Sequence, residues 1–487
     1  MAEPRSPSLD PEDWAAFRRQ AHRMLDDIIG YVETIRDRPV WRPVPDDTRA
    51  ALRGPLPREG APLDEVHARF MTHVLPFATG NVHPRFMGWV HGGGNVYGML
   101  GEMLAAGLNA NLGGRDHAPI AVEKQVVRWF ADLFGFPAGA SGLLVTGTSI
   151  ANLIGVAIAR VAALGTSIRR TGATPTAARE LVAYASTAVH GCVPRAMDVA
   201  GLGTDALRLI PIDAAHRIDV TALAEAIARD RAAGHRPFLV VGTAGTVDVG
   251  AFDDLESLAR LCAQHGLWLH VDGAFGALGV LSPEVRPLLA GIEKADSVAF
   301  DFHKWGQVPY DAACIVVRDE AKQLAAFSSE AAYLRREARG LAGGTPWPCD
   351  LGPDLSRGFR ALKVWYTLEV LGADRLGAAI AHTCALARHL AARVDAAPEL
   401  ERVAPVPLNI VCFRYRFAER SDEQNAALAA DLQDSGIAAP STITLDGRVV
   451  LRCAIVNHRT ERQDIDILVD AVLSLGRRRR DGAASPA

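Results

Sequence analysis

Nowhere in this chain do apolar residues run unbroken for the ~18 positions that a membrane-spanning helix requires. Residues 1–11 lack the basic and apolar blocks of a secretory signal. The expectation is a cytoplasmic protein with no membrane partner. A basic surplus is missing too: the formal net charge is −4, so nothing is left over to neutralise phosphates, which excludes a general nucleic-acid binder. The single basic run, the arginines at 477–480, lies among Gly, Ala, Ser and Pro, and 477–487 reads as a disordered tail. Cysteine is sparse. Its seven residues, at 192, 262, 314, 349, 384, 412 and 453, include no pair at a metal-ligand or redox spacing, so reduced thiols and no metal site are expected. No strand-linked Gly-x-Gly-x-x-Gly turn is present, which counts against a nucleotide-binding oxidoreductase.

What is present suits a soluble globular enzyme. With 487 residues, 49% of them hydrophobic and 22% charged, the chain can build two or three domains around a large core. Short apolar runs at 143–145, 181–184, 238–241, 267–271, 297–300 and 312–318 read as buried strands, and helical patterns at 150–164 and 254–265 lie between them. Strand, helix, strand repeated in this way predicts an α/β fold with a mostly parallel sheet and right-handed crossovers. Ahead of it, Trp14, Phe17, Met24, Leu25, Ile28, Ile29, Val32 and Ile35 recur at helical spacing and leave an apolar face in need of a partner. The expected organisation is an N-terminal helical segment and linker over 1–75, a large domain over 76–370, a smaller α/β domain over 371–476 and the tail.

Two of the predicted strands end in chemistry. The run at 267–271 follows a helix-stop glycine, Gly266, and delivers Asp272; the run at 297–300 delivers Lys304 just past its end. Ligands of open α/β sheets sit outside the carboxyl ends of the strands, so the two groups would face one crevice. Pyridoxal phosphate needs this pair: an amine to form a Schiff base with its aldehyde, and an acid to keep its ring nitrogen protonated. Taken alone, the pair also fits a sheet-end salt bridge. Thr146-Gly147-Thr148-Ser149 opens a helix, and hydroxyls at the positive end of a helix dipole suit a phosphate, although an N-cap explains a single Thr or Ser as well. Thr243 ends another strand. His190 is a lone histidine after a strand, a kind of residue that more often sits satisfied in the core or at the surface. Arg452 is a candidate carboxylate binder, or a core-edge arginine paired with an acid.

The context narrows these readings. His270-Val271-Asp272-Gly273-Ala274-Phe275, followed by Ala295-Asp296-Ser297, His303-Lys304-Trp305 and Val308-Pro309-Tyr310-Asp311, resembles the group II pyridoxal-phosphate-dependent decarboxylases, the family of the aromatic-amino-acid and glutamate decarboxylases, over about residues 14–460. The resemblance implies fold type I, like aspartate aminotransferase, with pyridoxal 5'-phosphate as cofactor and a homodimer whose active site lies at the subunit interface. By that resemblance Lys304 holds the cofactor, Asp272 faces its ring nitrogen, His190 stacks on one ring face and Ala274 covers the other. Thr148 and Ser149 bind its phosphate in a motif ending at Asn152, Thr243 points at the ring oxygen or the substrate carboxylate, and His303 binds phosphate or gates protons. Trp89 and His91 line the substrate pocket.

Three departures from the family stand out. Asn111 and Gly113 fall where aromatic-specific members place apolar side chains. Asp301 stands where some animal members carry asparagine, and an acid beside a phosphate is unfavourable unless it points away or His303 offsets it. The loop at 327–353, of the kind that forms active-site lids, has no tyrosine at the place where the family's proton donor lies; Tyr333 comes earlier on it. The expected reaction is loss of the α-carboxylate of an L-amino acid, giving an amine and CO2. The alternative within the same chemistry is an aldehyde-forming, oxidatively deaminating relative. The intact Lys304, Asp272 and His190 set argues against a catalytically silent protein.

Overall fold

All six of the apolar runs fold as strands of one 7-stranded sheet in the computed structural model, which describes residues 8–173, 180–329 and 336–482. In chain order the strands are β1 (Phe86–Met87), β2 (Ser141–Val145), β3 (Leu181–Ser186), β4 (Leu207–Ile210), β5 (Arg236–Thr243), β6 (Trp268–Asp272), β7 (Ser297–Asp301), β8 (Ala313–Val317), β9 (Leu400–Arg402), β10 (Ile410–Tyr415), β11 (Ala439–Leu445) and β12 (Arg448–Ala454). The large sheet has the order β2-β8-β7-β6-β5-β3-β4. β8 runs antiparallel to both of its neighbours, and the pairs from β7 to β4 are parallel.

Burial explains why these strands read as continuous apolar runs. Helices cover both faces of the sheet, so successive side chains alternate between two cores instead of between core and water. Val182, Tyr184, Val240, Val271, Val298 and Phe300 pack on one side. Leu181, Ala183, Leu239, Trp268, Ala299 and Ile315 pack on the other, beneath the helix Thr148–Leu164.

The small sheet has the order β1-β11-β12-β10-β9. Its outermost strand is only two residues long and comes from positions 86–87, paired parallel to β11. The expected boundaries are therefore crossed: residues assigned to the large domain complete the sheet of the small one. The segment before it is tied down in the same place. Val40 N–H donates to Gly436 O at 2.9 Å, Arg36 pairs with Asp464 at 2.9 Å, and the presumed linker holds a short helix, Asp46–Ala51.

The expected tail start at 477 is corrected. The last helix, Arg462–Arg480, continues through the basic run, because Arg477 pairs with Glu399 at 2.7 Å and Arg479 with Asp431 at 2.5 Å. Residues 483–487 lie outside the described ones. The capping box of this helix is formed by Glu461 and Asp464, and the Thr460 hydroxyl beside it donates to Pro84 O at 2.7 Å. The helix that leads out of the large domain is Arg360–Leu371. Residues before it are held out of helical form by the 111–113 loop: Arg357 N–H donates to Asn111 Oδ1 at 3.0 Å, and Leu112 N–H donates to Arg357 O at 2.8 Å.

Candidate active site

The register of β6 against β7, with His270 opposite Ser297 and Asp272 opposite Ala299, brings Asp272 and the turn carrying Lys304 to one end of the sheet. Lys304 Nζ lies 2.7 Å from Asp301 Oδ2. Burial by itself would depress the ammonium, but the Asp301 carboxylate beside it, with Asp272 and Cys192 nearby, holds its pKa above the usual lysine value. Asp301 shows the converse: burial pushes its carboxyl up, but Lys304 and His303 outweigh that and hold it below the ordinary range. Asp301 does not point away from the site. Its Oδ1 accepts the Thr148 N–H at 2.8 Å, so it sits at the start of the helix expected to hold phosphate.

Asp272 is buried, and burial raises its carboxyl, opposed by Lys304, by a hydrogen bond from Asn152, by His190 and by the Ala274 N–H. Asn152 Nδ2 donates to Oδ2 at 3.0 Å and Ala274 N–H to Oδ1 at 3.2 Å. His190 follows β3 on an exposed turn, its Nδ1 accepting the Cys192 N–H at 3.2 Å. His190 is among the groups that oppose the burial raising the Asp272 and Asp248 carboxyls.

Two hydroxyls in this region are buried and have no hydrogen-bond partner among the described residues: Thr148 Oγ1 and Thr243 Oγ1. A buried hydroxyl left unpaired is costly, and each is a donor aimed at a polar ligand. Ser149, the second residue of its helix, is exposed. Thr243 is braced from behind by Asp253, whose carboxylate accepts Thr243 N–H and Ile218 N–H, both at 2.7 Å. The set offers an amine, a buried carboxylate and a helix N-terminus with an unpartnered hydroxyl, groups whose chemistry fits the aldehyde, ring nitrogen and phosphate of pyridoxal phosphate.

On the other side stands an aromatic array. His303 packs on Tyr310 with ring centroids 4.2 Å apart, Tyr310 meets the edge of His91 at 6.0 Å, and His91 stacks on both Phe86 and Trp89 at 5.9 Å, those two rings lying 6.3 Å from each other. His303 Nδ1 accepts the Ala312 N–H at 3.1 Å, so its own proton sits on Nε2, 3.7 Å from Asp301. Burial lowers the His91 pKa, and the neighbouring Lys304 and His303 lower it further. Trp89 and Tyr310 are exposed at the rim.

Arg452 lies on β12 against the turn after β5. Its Nε donates to Asp248 O at 3.3 Å and one terminal nitrogen to Ser441 Oγ at 3.4 Å; the other is buried without a partner, and the side chain has no ion pair among the described residues. Asp248 is close enough to oppose the effect of burial on the Arg452 pKa, and no contact joins Arg452 to Lys304 or Asp272.

The departures at 111–113 have a structural cause. Asn111 Oδ1 accepts Gly113 N–H at 2.9 Å as well as Arg357 N–H, and a Cβ on Gly113 would stand 1.7 Å from Leu355 O, so this loop needs glycine for close packing. Residues 336–350 are anchored through Trp347 and Asp350. Trp347 is buried with Arg336 and Arg115 over its ring, 4.0 and 4.6 Å from the centroid, and Arg336 binds Asp350 through both terminal nitrogens. Tyr333 lies outside the described residues. Sequence reasoning named Tyr310 and Asn152 only as members of family motifs and did not place Tyr310 against His303, Asn152 on Asp272 or Asp253 behind Thr243; Asn152, one helical turn after Thr148 and so on the same face, was the one with a periodic signal.

Residues 45–416 match the family described as the pyridoxal-dependent decarboxylase conserved domain. An aromatic-L-amino-acid decarboxylase of Bacillus atrophaeus is 33% identical over 459 residues, covering 92% of this chain and 93% of the relative. Phenylacetaldehyde synthase of Arabidopsis thaliana is 30% identical over 474 residues, covering 94% and 95%. Among solved structures, Oryza sativa TDC with PLP and tryptamine superposes with a TM-score of 0.88 at 26% identity, over 97% of this chain and 100% of that one.

Proposed function

This chain belongs to the group II pyridoxal-phosphate-dependent decarboxylase family, a fold type I enzyme with pyridoxal 5'-phosphate as cofactor, and from that premise we propose that it removes the α-carboxylate of an L-amino acid to release an amine and CO2. The observation that carries the proposal is the juxtaposition of Lys304 and Asp272 at the ends of adjacent parallel strands in one crevice. When bound, the cofactor supplies an aldehyde for amines and a ring that accepts the electron pair left by CO2.

Each residue then has a task. The Lys304 amine is the group that captures the cofactor, and Asp301, 2.7 Å away, holds it as the ammonium until it reacts. Asp272, with one oxygen occupied by Asn152, keeps the ring nitrogen protonated by its opposite charge. Thr148 and Ser149 hold the phosphate at the positive end of their helix. His190 and Ala274 enclose the ring between them, and the unpartnered Thr243 hydroxyl orients either the ring oxygen or the substrate carboxylate. His303, with its proton on Nε2, offsets the charge of Asp301. Trp89 and His91 form a flat wall for the substrate side chain, and Arg452, with a buried unpartnered nitrogen, is the carboxylate binder.

The site is completed by a second copy of the chain. Supporting this, Trp14 and Phe17 on the helix Trp14–Glu33, Phe70 on Leu63–His73, and Met103 and Leu104 on Val96–Leu108 are exposed apolar side chains on neighbouring helices, a surface that invites cover. Among the described residues no helix is long and apolar enough to cross a membrane.

A second reading, consumption of O2 and water with release of an aldehyde, CO2, ammonia and peroxide, is favoured by two observations: residues 336–353 contain no tyrosine, and a relative at 30% identity is named an aldehyde synthase. Product analysis separates the two. Lys304→Ala is expected to abolish both the yellow colour of the protein and all turnover; a yellow, active variant would remove the assignment.

A further inference from the structure

Asp272 stands at the end of a chain of buried hydrogen bonds whose direction can be worked out link by link. Trp268, His270 and Asp272 alternate along one face of β6, and Ser297 lies opposite His270 on β7. Trp268 Nε1 donates to Ser297 Oγ at 2.9 Å, and an indole N–H can only donate. The Ser297 proton is therefore free to go to His270 Nδ1, 2.7 Å away. Burial pushes the His270 pKa down to about 4, so the ring is neutral and carries its single proton on Nε2. That proton is donated to Asn152 Oδ1 at 2.9 Å, which turns the amide nitrogen of Asn152 toward Asp272 Oδ2 at 3.0 Å.

The helix bearing Asn152 is held against this face by a glycine. A Cβ on Gly155 would lie 2.6 Å from His270 Cε1, so the helix can close on the imidazole only with hydrogen at that position. If the imidazole carried its proton on Nδ1 instead, Asn152 would have to turn its oxygen toward the carboxylate and two acceptors would face each other. With Asp272 ionised, the arrangement has one consistent direction.

We infer that Trp268, Ser297 and His270 are positioning residues that lock Asn152 as a donor to Asp272, so that Asp272 stays an acceptor-only carboxylate toward the ring nitrogen of the cofactor. The inference rests on the reading of Asp272 given under the proposed function. Among the described residues, Lys304, His190, Cys192, Asn152 and the Ala274 N–H are the groups that face the Asp272 carboxylate, and of these only Asn152 connects it to His270 in the sheet interior.

The test uses the full chain and pyridoxal 5'-phosphate. Nitrogen NMR of the cofactor-free protein labelled in histidine is expected to show His270 neutral with its proton on Nε2; a proton on Nδ1 overturns the inference without any variant. Ser297→Ala should weaken cofactor affinity roughly 10-fold, the loss of one hydrogen bond in a chain ending on a charged group, and should move the pH midpoint of the visible absorption band, with Ser297→Thr restoring both. Gly155→Ala, which displaces the imidazole without removing a polar group, should act in the same direction if Ser297→Ala does not fold. Asp272→Asn separates the two ideas. If it weakens binding while Ser297→Ala leaves affinity and midpoint unchanged, the relay fails and the role of Asp272 stands; if Asp272→Asn also changes neither, the reading of Asp272 itself fails and the relay falls with it.

Discussion

Replacing Asp301 by asparagine changes one charge in the site and almost nothing else. The side chains are isosteric, and the amide oxygen can still accept the Thr148 N–H that Asp301 accepts at 2.8 Å. What is lost is the anion 2.7 Å from Lys304 Nζ, in a position where Asp301 is buried. A hydrogen bond to a charged group in such a place is worth about 1.5–3 kcal/mol, equivalent to a fall of roughly 1–2 units in the lysine pKa. Only the neutral amine attacks an aldehyde, so the asparagine variant should capture pyridoxal phosphate at lower pH than the parent. The assay is the rate at which cofactor-free protein gains its visible band, measured across pH. The expected result is a midpoint displaced downward by about 1–2 units, and affinity for free phosphate should rise because an acid no longer stands at the helix N-terminus. A midpoint that does not move would show that Asp301 does not control the protonation of Lys304.

Two further outcomes concern stability. Arg357 and Glu123 form a buried ion pair that also takes in Leu112 O, Leu144 O and Leu144 N–H. Arg357→Met strands the Glu123 carboxylate and should cost about 3–5 kcal/mol in urea unfolding, whereas Arg357→Met combined with Glu123→Leu should recover most of that loss; an equally unstable double variant would show that the pair is not the cause. His83 and His270 are fully buried, and burial pushes each pKa from 6.5 down to about 4. The unfolded chain then binds more protons than the folded one between these values, so stability is complete above pH 6.5 and falls as the pH drops toward 4, by up to about 3 kcal/mol per histidine. Denaturation midpoints that are flat across that window would contradict this account.

The legible parts of the sequence were those with a local signal. Asp272 and Lys304 were found because each follows a short apolar run, and the Thr148 helix because hydroxyls and a glycine precede a helical pattern. β4, β9 and β11 were not read: β4 is an edge strand of mixed burial, β9 is three residues long, and the solvent-facing part of β11 alternates. β1 could not have been read at all, since two residues have no periodicity. The basic run at 477–480 looked like a tail because its partners, Glu399 and Asp431, lie far away in the chain.

By itself, then, the amino-acid order determined the α/β class, the strand ends that carry the acid and the amine, and the family these belong to, because hydrophobic periodicity and strand-ending turns are written over a few neighbouring positions. Only the tertiary structure decided which way Asp301 points, that Asn152 reaches Asp272 across 120 positions, that Arg357 answers Glu123, and that residues 86–87 complete the small sheet. The reason is physical: a buried polar group or an open strand edge must find a partner wherever the packed chain brings one, and that requirement leaves no repeating pattern along the sequence.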